Sequence, residues 1–173
     1  MIPFINRERE LDFLEKQYAQ SEAALIILYG RRRVGKTRLL REFVRGKPHL
    51  YFLADDQLSH QQIRSFQDMA AEQLGDSMLP GLQFSTLEHL FRYLVEHLPL
   101  SSKWVLVIDE FQYLVKSEPA TPSIFQRLWD LHLKDKPIML ILCGSLTGMM
   151  ERYTLNYSSP LYGRRTGQIK LRP

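Results

Sequence analysis

Gly30-Arg-Arg-Arg-Val-Gly-Lys-Thr37 is the stretch with the clearest chemistry. It matches the phosphate-loop pattern of a glycine, four free positions, then Gly-Lys and a hydroxyl residue. Gly30 and Gly35 permit backbone angles that let successive N–H groups converge on phosphate oxygens. Lys36 is expected to reach the β and γ phosphates, and Thr37 to offer its hydroxyl to Mg²⁺. The expected nucleotide contacts are Gly30, Arg31, Arg32, Arg33, Val34, Gly35, Lys36, Thr37 and Arg38. For Arg31, Arg32 and Arg33 two readings stand: solvated loop positions, or contacts to a partner or nucleic acid at the mouth of the site.

A second constellation lies in Trp104-Val-Leu-Val-Ile-Asp-Glu110. An apolar run ends in two carboxylates. Asp109 is expected to hold Mg²⁺ opposite Thr37. Glu110 then lies within reach of a water attacking the γ-phosphate, as general base. Enzymes that phosphorylate small metabolites do not need such a pair, because their acceptor is not water. The pair therefore favours hydrolysis of a nucleoside triphosphate. No Asn-Lys-x-Asp guanine signature is present, and GTP stays open beside ATP. Phe111, Tyr113 and Leu114 are expected to pack, with Gln112 as a reader of nucleotide state.

These residues need a scaffold, and the hydropathy pattern supplies one. Leu25–Tyr29, His49–Leu53, Trp104–Ile108, Pro137–Cys143 and Gly167–Leu171 read as strands, the best of them apolar without alternation, as in parallel sheets covered on both faces. Helical patterns fall between them. Arg7–Tyr18 has its apolar positions at helical spacing, and Gly35–Val44 follows the first strand. Capping boxes are expected at Ser59 with Gln62 and at Ser85 with Glu88. Thr121-Pro122 opens a helix with the stripe Ile124, Leu128, Leu131, and Leu146–Tyr153 is a short one. This order describes an α/β fold with helices on both faces of the sheet.

Two further polar segments sit at strand ends. Ser145 follows the Pro137–Cys143 strand; in phosphate-loop ATPases with a strand inserted between the two motif strands, a polar residue here senses the γ-phosphate. It could equally cap the short helix that follows. Arg164 and Arg165 lie in the loop from Ser159 to Thr166. Arg164 is the candidate arginine for the γ-phosphate, from its own chain or a neighbour, against a solvated or salt-bridged loop.

Composition sets the outer limits. The 173 residues suit one domain with its own core, and 45% of them are apolar. Lys and Arg exceed Asp and Glu by 23 − 19 = 4, a mild basic excess. Cys143 is the single cysteine, which excludes an internal disulfide and suits a reducing compartment. The histidines form no zinc-ligand spacing. No targeting segment or membrane-length apolar run is present, so a soluble cytoplasmic protein without membrane contact is expected.

Taken together the segments resemble the archaeal-type ATPase family of prokaryotes, with AAA- and STAND-like features. Phe4-Ile-Asn-Arg-Glu-Arg-Glu-Leu11 resembles the segment ahead of the phosphate loop in many such ATPases. GRRRVGKTRLL, VIDEFQYL, LCGSLTGMME and SPLYGRRTGQIKL carry the resemblance along the chain from about Pro3 to Leu171. It implies a three-layer P-loop sandwich whose five-stranded, mainly parallel sheet has the order 5-1-4-3-2. It implies ATP and Mg²⁺ as ligands, and Asn6 and Arg7 near the adenine. Residues 1–173 are then one ATPase core, with an N-terminal helical segment at 1–22 and the nucleotide-binding part at 23–173. The family's helical lid and winged-helix region are expected outside it, as the missing partners. The leading expectation is an ATP-binding core that hydrolyses slowly, as a switch or motor module of a larger protein. The alternative is a nucleotide-binding regulatory module without turnover. A DNA or protein partner and self-association are further expectations.

Overall fold

The computed structural model describes residues 6–145 and 147–173. Five strands form one parallel sheet: β1 (Ala24–Tyr29), β2 (His49–Leu53), β3 (Trp104–Asp109), β4 (Ile138–Gly144) and β5 (Gly167–Lys170). Their spatial order is β2-β3-β4-β1-β5, the expected order read from the other edge. The central strands β1 and β4 are buried along their whole length, which is why their sequences show no polar alternation.

Side chains of β1 divide by parity. Leu25, Ile27 and Tyr29 join one core with α3 (Ser59–Leu74), α4 (Leu87–His97), α5 (Gln112–Ser117), α6 (Thr121–Leu128) and α7 (Thr147–Met150). Ala24, Ile26 and Leu28 join the other, with α1 (Glu8–Ala19) and α2 (Lys36–Val44). The result is three layers, and all five strands end on the same side of the sheet.

The edge strand β2 is held by a side chain. The Gln73 amide of α3 accepts from the Tyr51 backbone N–H at 2.7 Å and donates to the Tyr51 carbonyl at 2.7 Å. It satisfies main-chain groups that an open edge would offer to another chain, and it fixes Tyr51 in the plane of the sheet.

Both helix starts expected from capping boxes move by one residue. α3 begins at Ser59 with Leu58 as its cap, and Gln61, not Gln62, accepts the Leu58 N–H at 3.0 Å. Gln62 turns inward instead and bonds the Asp55 carbonyl. α4 is capped by Thr86, whose hydroxyl accepts the His89 N–H at 3.1 Å, while Glu88 pairs with Arg127. Leu131 leaves the expected apolar stripe and is 69% exposed, because α6 continues into a π-type turn over Trp129–Leu133 that rotates it outward. The residues after Glu110, read as loop packing, form the helix α5. Phe4 of the N-terminal segment and Leu146, the expected start of the short helix, lie outside the described residues.

Candidate active site

The β1–α2 junction builds the first half of the site. Arg33 has φ 66° and Gly35 φ 95°. Backbone of this hand turns consecutive N–H groups toward one side, and at Gly35 an L side chain would be strained. Gly35 caps α2, whose first turn carries Lys36 and Arg38 and no carboxylate. That is the reverse of what a helix dipole prefers at its positive end, so an anion is the natural complement. The loop borders a cavity of about 410 Å³ lined by Arg32, Arg33, Gly35, Lys36, Thr37, Arg38 and Glu110. Four cationic side chains face one carboxylate there. Lys36 is buried, and its ammonium donates to the carbonyls of Gly30 at 2.9 Å and Arg31 at 2.7 Å. A somewhat larger cavity of about 470 Å³ lies by α3 and α4, with His60, Arg64 and His89 in its wall, but it has no such charge concentration.

The C-terminal end of β3 builds the other half. Asp109 is fully buried. Its Oδ2 accepts from the Thr37 hydroxyl at 2.8 Å and from the Tyr51 hydroxyl at 2.6 Å, and its Oδ1 accepts the Glu110 N–H at 2.9 Å. Side chains from α2 and β2 and the N–H of the following residue lock one carboxylate beside the phosphate loop. Burial, then the Asp109 charge and hydrogen bond, push the Tyr51 phenol far above its ordinary range, so it remains a donor. The Arg41 guanidinium stacks 3.7 Å from the centre of its ring. Burial likewise raises the Cys143 thiol, which stays protonated as a packing residue.

Thr37 and Asp109 are hard oxygen donors of the kind Mg²⁺ takes, and they already touch. Among the described residues, no group of three or more His, Cys, Asp or Glu could hold a metal. A cation here would therefore complete its shell with water and phosphate oxygens, as Mg²⁺ does in phosphate sites.

Glu110 is left-handed, with φ 56°. Its Oε2 accepts from the Ser145 hydroxyl at 2.8 Å and from the Gln112 amide. β3 and β4 are neighbours, so Ser145 reaches Glu110 from the adjacent strand end. This places the sensor candidate beside the candidate base.

A family model described as an ATPase domain predominantly from Archaea matches residues 4–173. The chain belongs to this archaeal ATPase family. An uncharacterized protein of Methanocaldococcus jannaschii is 36% identical over 174 residues, which cover 98% of this chain and 36% of that protein. A Walker-type ATPase of Pyrococcus abyssi superposes with a TM-score of 0.70 at 25% identity, covering 98% of this chain and 54% of the other. The Orc1 protein of Aeropyrum pernix, solved in complex with DNA, shares the fold with a TM-score of 0.65 at 20% identity, over 100% of this chain and 46% of its own. The chain thus spans about a third of the first relative and about half of these two structures. Among the described residues no helix is long and apolar enough to cross a membrane.

Within this ATPase domain the remaining candidates fall in different places. Arg7 ties the loop to the chain end: it donates to the carbonyls of Val34 at 3.1 Å and Arg172 at 2.6 Å and pairs with Glu10. Asn6, left-handed at φ 69°, directly precedes it. Arg32 donates to the Tyr113 hydroxyl at 2.9 Å, so Tyr113 holds the loop as well as packing. Arg31 and Arg33 are exposed.

Arg164 does not join its own site. It pairs with Asp130 at 3.1 Å, and the nearby Thr166 N–H bonds the Leu25 carbonyl at the start of β1. Five residue steps along the strand, about 16 Å of rise, separate Leu25 from Gly30. The expectation that Arg164 meets the γ-phosphate of its own chain is corrected: β5 runs parallel to β1, so the loop before β5 lies at the opposite end of the sheet.

Tyr51 is the residue that sequence reasoning passed over. In the strand HLYFL nothing marks it, since its partner Asp109 is far away in sequence and lies on the neighbouring strand two positions beyond its register partner Val107. Tyr51→Phe is expected to lower stability by about 1.5–3 kcal/mol in urea denaturation, the cost of one buried bond to a charged group. It is also expected to raise several-fold the Mg²⁺ needed for half-maximal nucleotide binding, because Asp109 loses its orientation. An unchanged Mg²⁺ requirement would assign Tyr51 to packing alone.

Proposed function

We propose that the chain is the ATP-binding core of a Mg²⁺-dependent ATPase that turns over slowly and serves as a switch or motor module of a larger protein. The observation that carries this reading is the Thr37–Asp109 contact at a strongly cationic cavity with Glu110 on its wall. In it, the phosphate loop and Lys36 hold the β and γ phosphates. Mg²⁺, when bound, supplies charge neutralisation between them. Thr37 and Asp109 hold that cation. Glu110 accepts the proton of the attacking water, and Ser145 faces the γ-phosphate. Asn6 and Arg7, at the loop's flank, border the adenine. The single buried Cys143 fits a cytoplasmic setting.

The second reading is a nucleotide-binding regulatory module without turnover, with a DNA-linked role. Exposed Arg31 and Arg33 beside the cavity favour an anionic partner, and the fold is shared with an Orc1 protein solved on DNA. For this reading, DNA affinity should fall steeply with added salt.

Titration with Mg²⁺-ATP and a phosphate-release assay separate the two. Saturable binding with release above the rate of Glu110→Gln supports the ATPase. Binding with no release above that variant selects the regulatory module. Absence of binding at millimolar nucleotide would overturn both.

A further inference from the structure

We infer that Gln112 is a positioning residue that joins Glu110 and Ser145 into one hydrolytic unit. This rests on the ATPase reading above. Gln112 opens α5 and is 1% exposed. Two residues before it, the left-handed Glu110 turns the chain back, and the Phe111 N–H pins that turn to the Cys143 carbonyl at 2.8 Å. The Gln112 side chain is thereby aimed at the end of β4.

Both amide donors and the amide carbonyl are engaged. Nε2 donates to Glu110 Oε2 and to Ser145 Oγ, the latter at 3.0 Å, and Oε1 accepts the Ser145 N–H at 3.3 Å. The Ser145 hydroxyl in turn donates to Glu110 Oε2 at 2.8 Å and closes the ring. The amide's orientation is fixed by chemistry. A backbone N–H can only face Oε1, so the donor edge must face the carboxylate. Gly144 leaves space for it and for Met150: a Cβ there would run into the Met150 thioether and lie 2.7 Å from Gln112 Oε1.

The ring solves a conflict between two duties of Ser145. Its hydroxyl has one proton. Given to a γ-phosphate oxygen, that proton is withdrawn from Glu110. Gln112 Nε2 is then the donor that keeps the carboxylate on the cavity wall while Ser145 reads the phosphate. Among the described residues both donors converge on Oε2, which leaves the second oxygen of Glu110 for water. Gln112 touches no phosphate in this arrangement; it acts through Glu110.

The test uses this chain with Gln112→Met, which keeps side-chain length without donor or acceptor, and Gln112→Glu, which keeps the acceptor for Ser145 N–H but opposes Glu110. Thermal unfolding, the Kd for Mg²⁺-ATP, and kcat and KM for phosphate release are measured for each. Lys36→Ala and Glu110→Gln run alongside. For Gln112→Met the expected result is a Kd and KM close to wild type with kcat reduced at least about tenfold, as for a displaced general base, and for Gln112→Glu a kcat loss at least as large beside a smaller loss of affinity. The double variant Gln112→Met/Ser145→Ala is expected to fall no further than the worse single one, because the two act as a unit. An unchanged kcat, a Kd weakened as much as kcat falls, or losses that multiply in the double variant would overturn the inference. If Gln112→Met does not fold, Gln112→Glu decides: its added charge weakens Kd, and a kcat that falls no further than Kd weakens would overturn the inference. Wild-type release no faster than Glu110→Gln would sink the ATPase reading and this inference with it. Release well above Glu110→Gln but equal in Gln112→Met removes only the inference.

Discussion

Lys36→Ala is expected to weaken Mg²⁺-ATP binding by about 100-fold or more while leaving the fold intact. The buried ammonium rests on the Gly30 and Arg31 carbonyls, at 2.9 and 2.7 Å, at the start of the phosphate loop. Those are neutral acceptors. A triphosphate offers charged ones, and each bond from an ammonium to a charged oxygen is worth about 1.5–3 kcal/mol. Two such bonds give about 3 kcal/mol at the low end, a factor of about 100 in Kd. The cost to folding is limited at Arg31, which is exposed, so that water can reach the carbonyl the ammonium vacates there, while the buried Gly30 carbonyl loses its partner. Arginine is not expected to rescue: its planar fork cannot replace a compact charge that must fit inside the loop. Calorimetric titration with Mg²⁺-ATP and a thermal melt check both halves. A Kd within about threefold of wild type, less than 1 kcal/mol by the affinity scale, would remove Lys36 from the binding reading. Residual weak binding of anions is expected from Arg32, Arg33 and Arg38, which line the same cavity.

What the sequence made legible here follows from range. The phosphate loop is local: eight consecutive residues at a strand-to-helix junction specify their own geometry, and the structure puts them where the pattern requires. Asp109 and Thr37 lie far apart in sequence, yet their meeting was legible too, because both sit at C-terminal ends of parallel strands or just beyond them. The order of strands came through the resemblance, since apolar runs alone do not say which strand lies beside which. Contacts between two non-adjacent segments with no motif of their own stayed hidden. Tyr51 on Asp109 is one. The pairing of Arg164 with Asp130 is another: Gly163-Arg164 looked like a phosphate contact, but a loop that precedes a parallel strand lies at the wrong end of the sheet. Capping boxes failed by one residue for a simpler reason. Ser85 neighbours Thr86, a hydroxyl residue equally able to cap, and Glu88 pairs with Arg127 instead; at α3 Gln62 is buried and Gln61 takes its place, so the helix starts from Leu58, which has no side-chain acceptor to offer.

Glu110→Gln separates binding from chemistry. Glutamine keeps the length and shape of the side chain, and its carbonyl oxygen can still accept from the Ser145 hydroxyl and the Gln112 amide as Oε2 does now. The backbone at φ 56° is no harder for glutamine than for glutamate, so the fold carries no new strain. Only the charge and the basicity are lost. Phosphate release is therefore expected to fall by about 10²–10⁴-fold, the range for removing a general base, with the Kd for Mg²⁺-ATP unchanged or tighter. Tightening has a direct electrostatic cause: among the described residues Glu110 is the one carboxylate on a cavity wall whose other charged groups are cations. The check is a single-turnover release assay beside equilibrium titration. Release within about threefold of wild type would mean that the water is prepared elsewhere, against the loss of about 100-fold that a general base entails. A parallel loss of affinity would mean instead that Glu110 shapes the phosphate site, and that its contacts to Ser145 and Gln112 serve the loop and not the water.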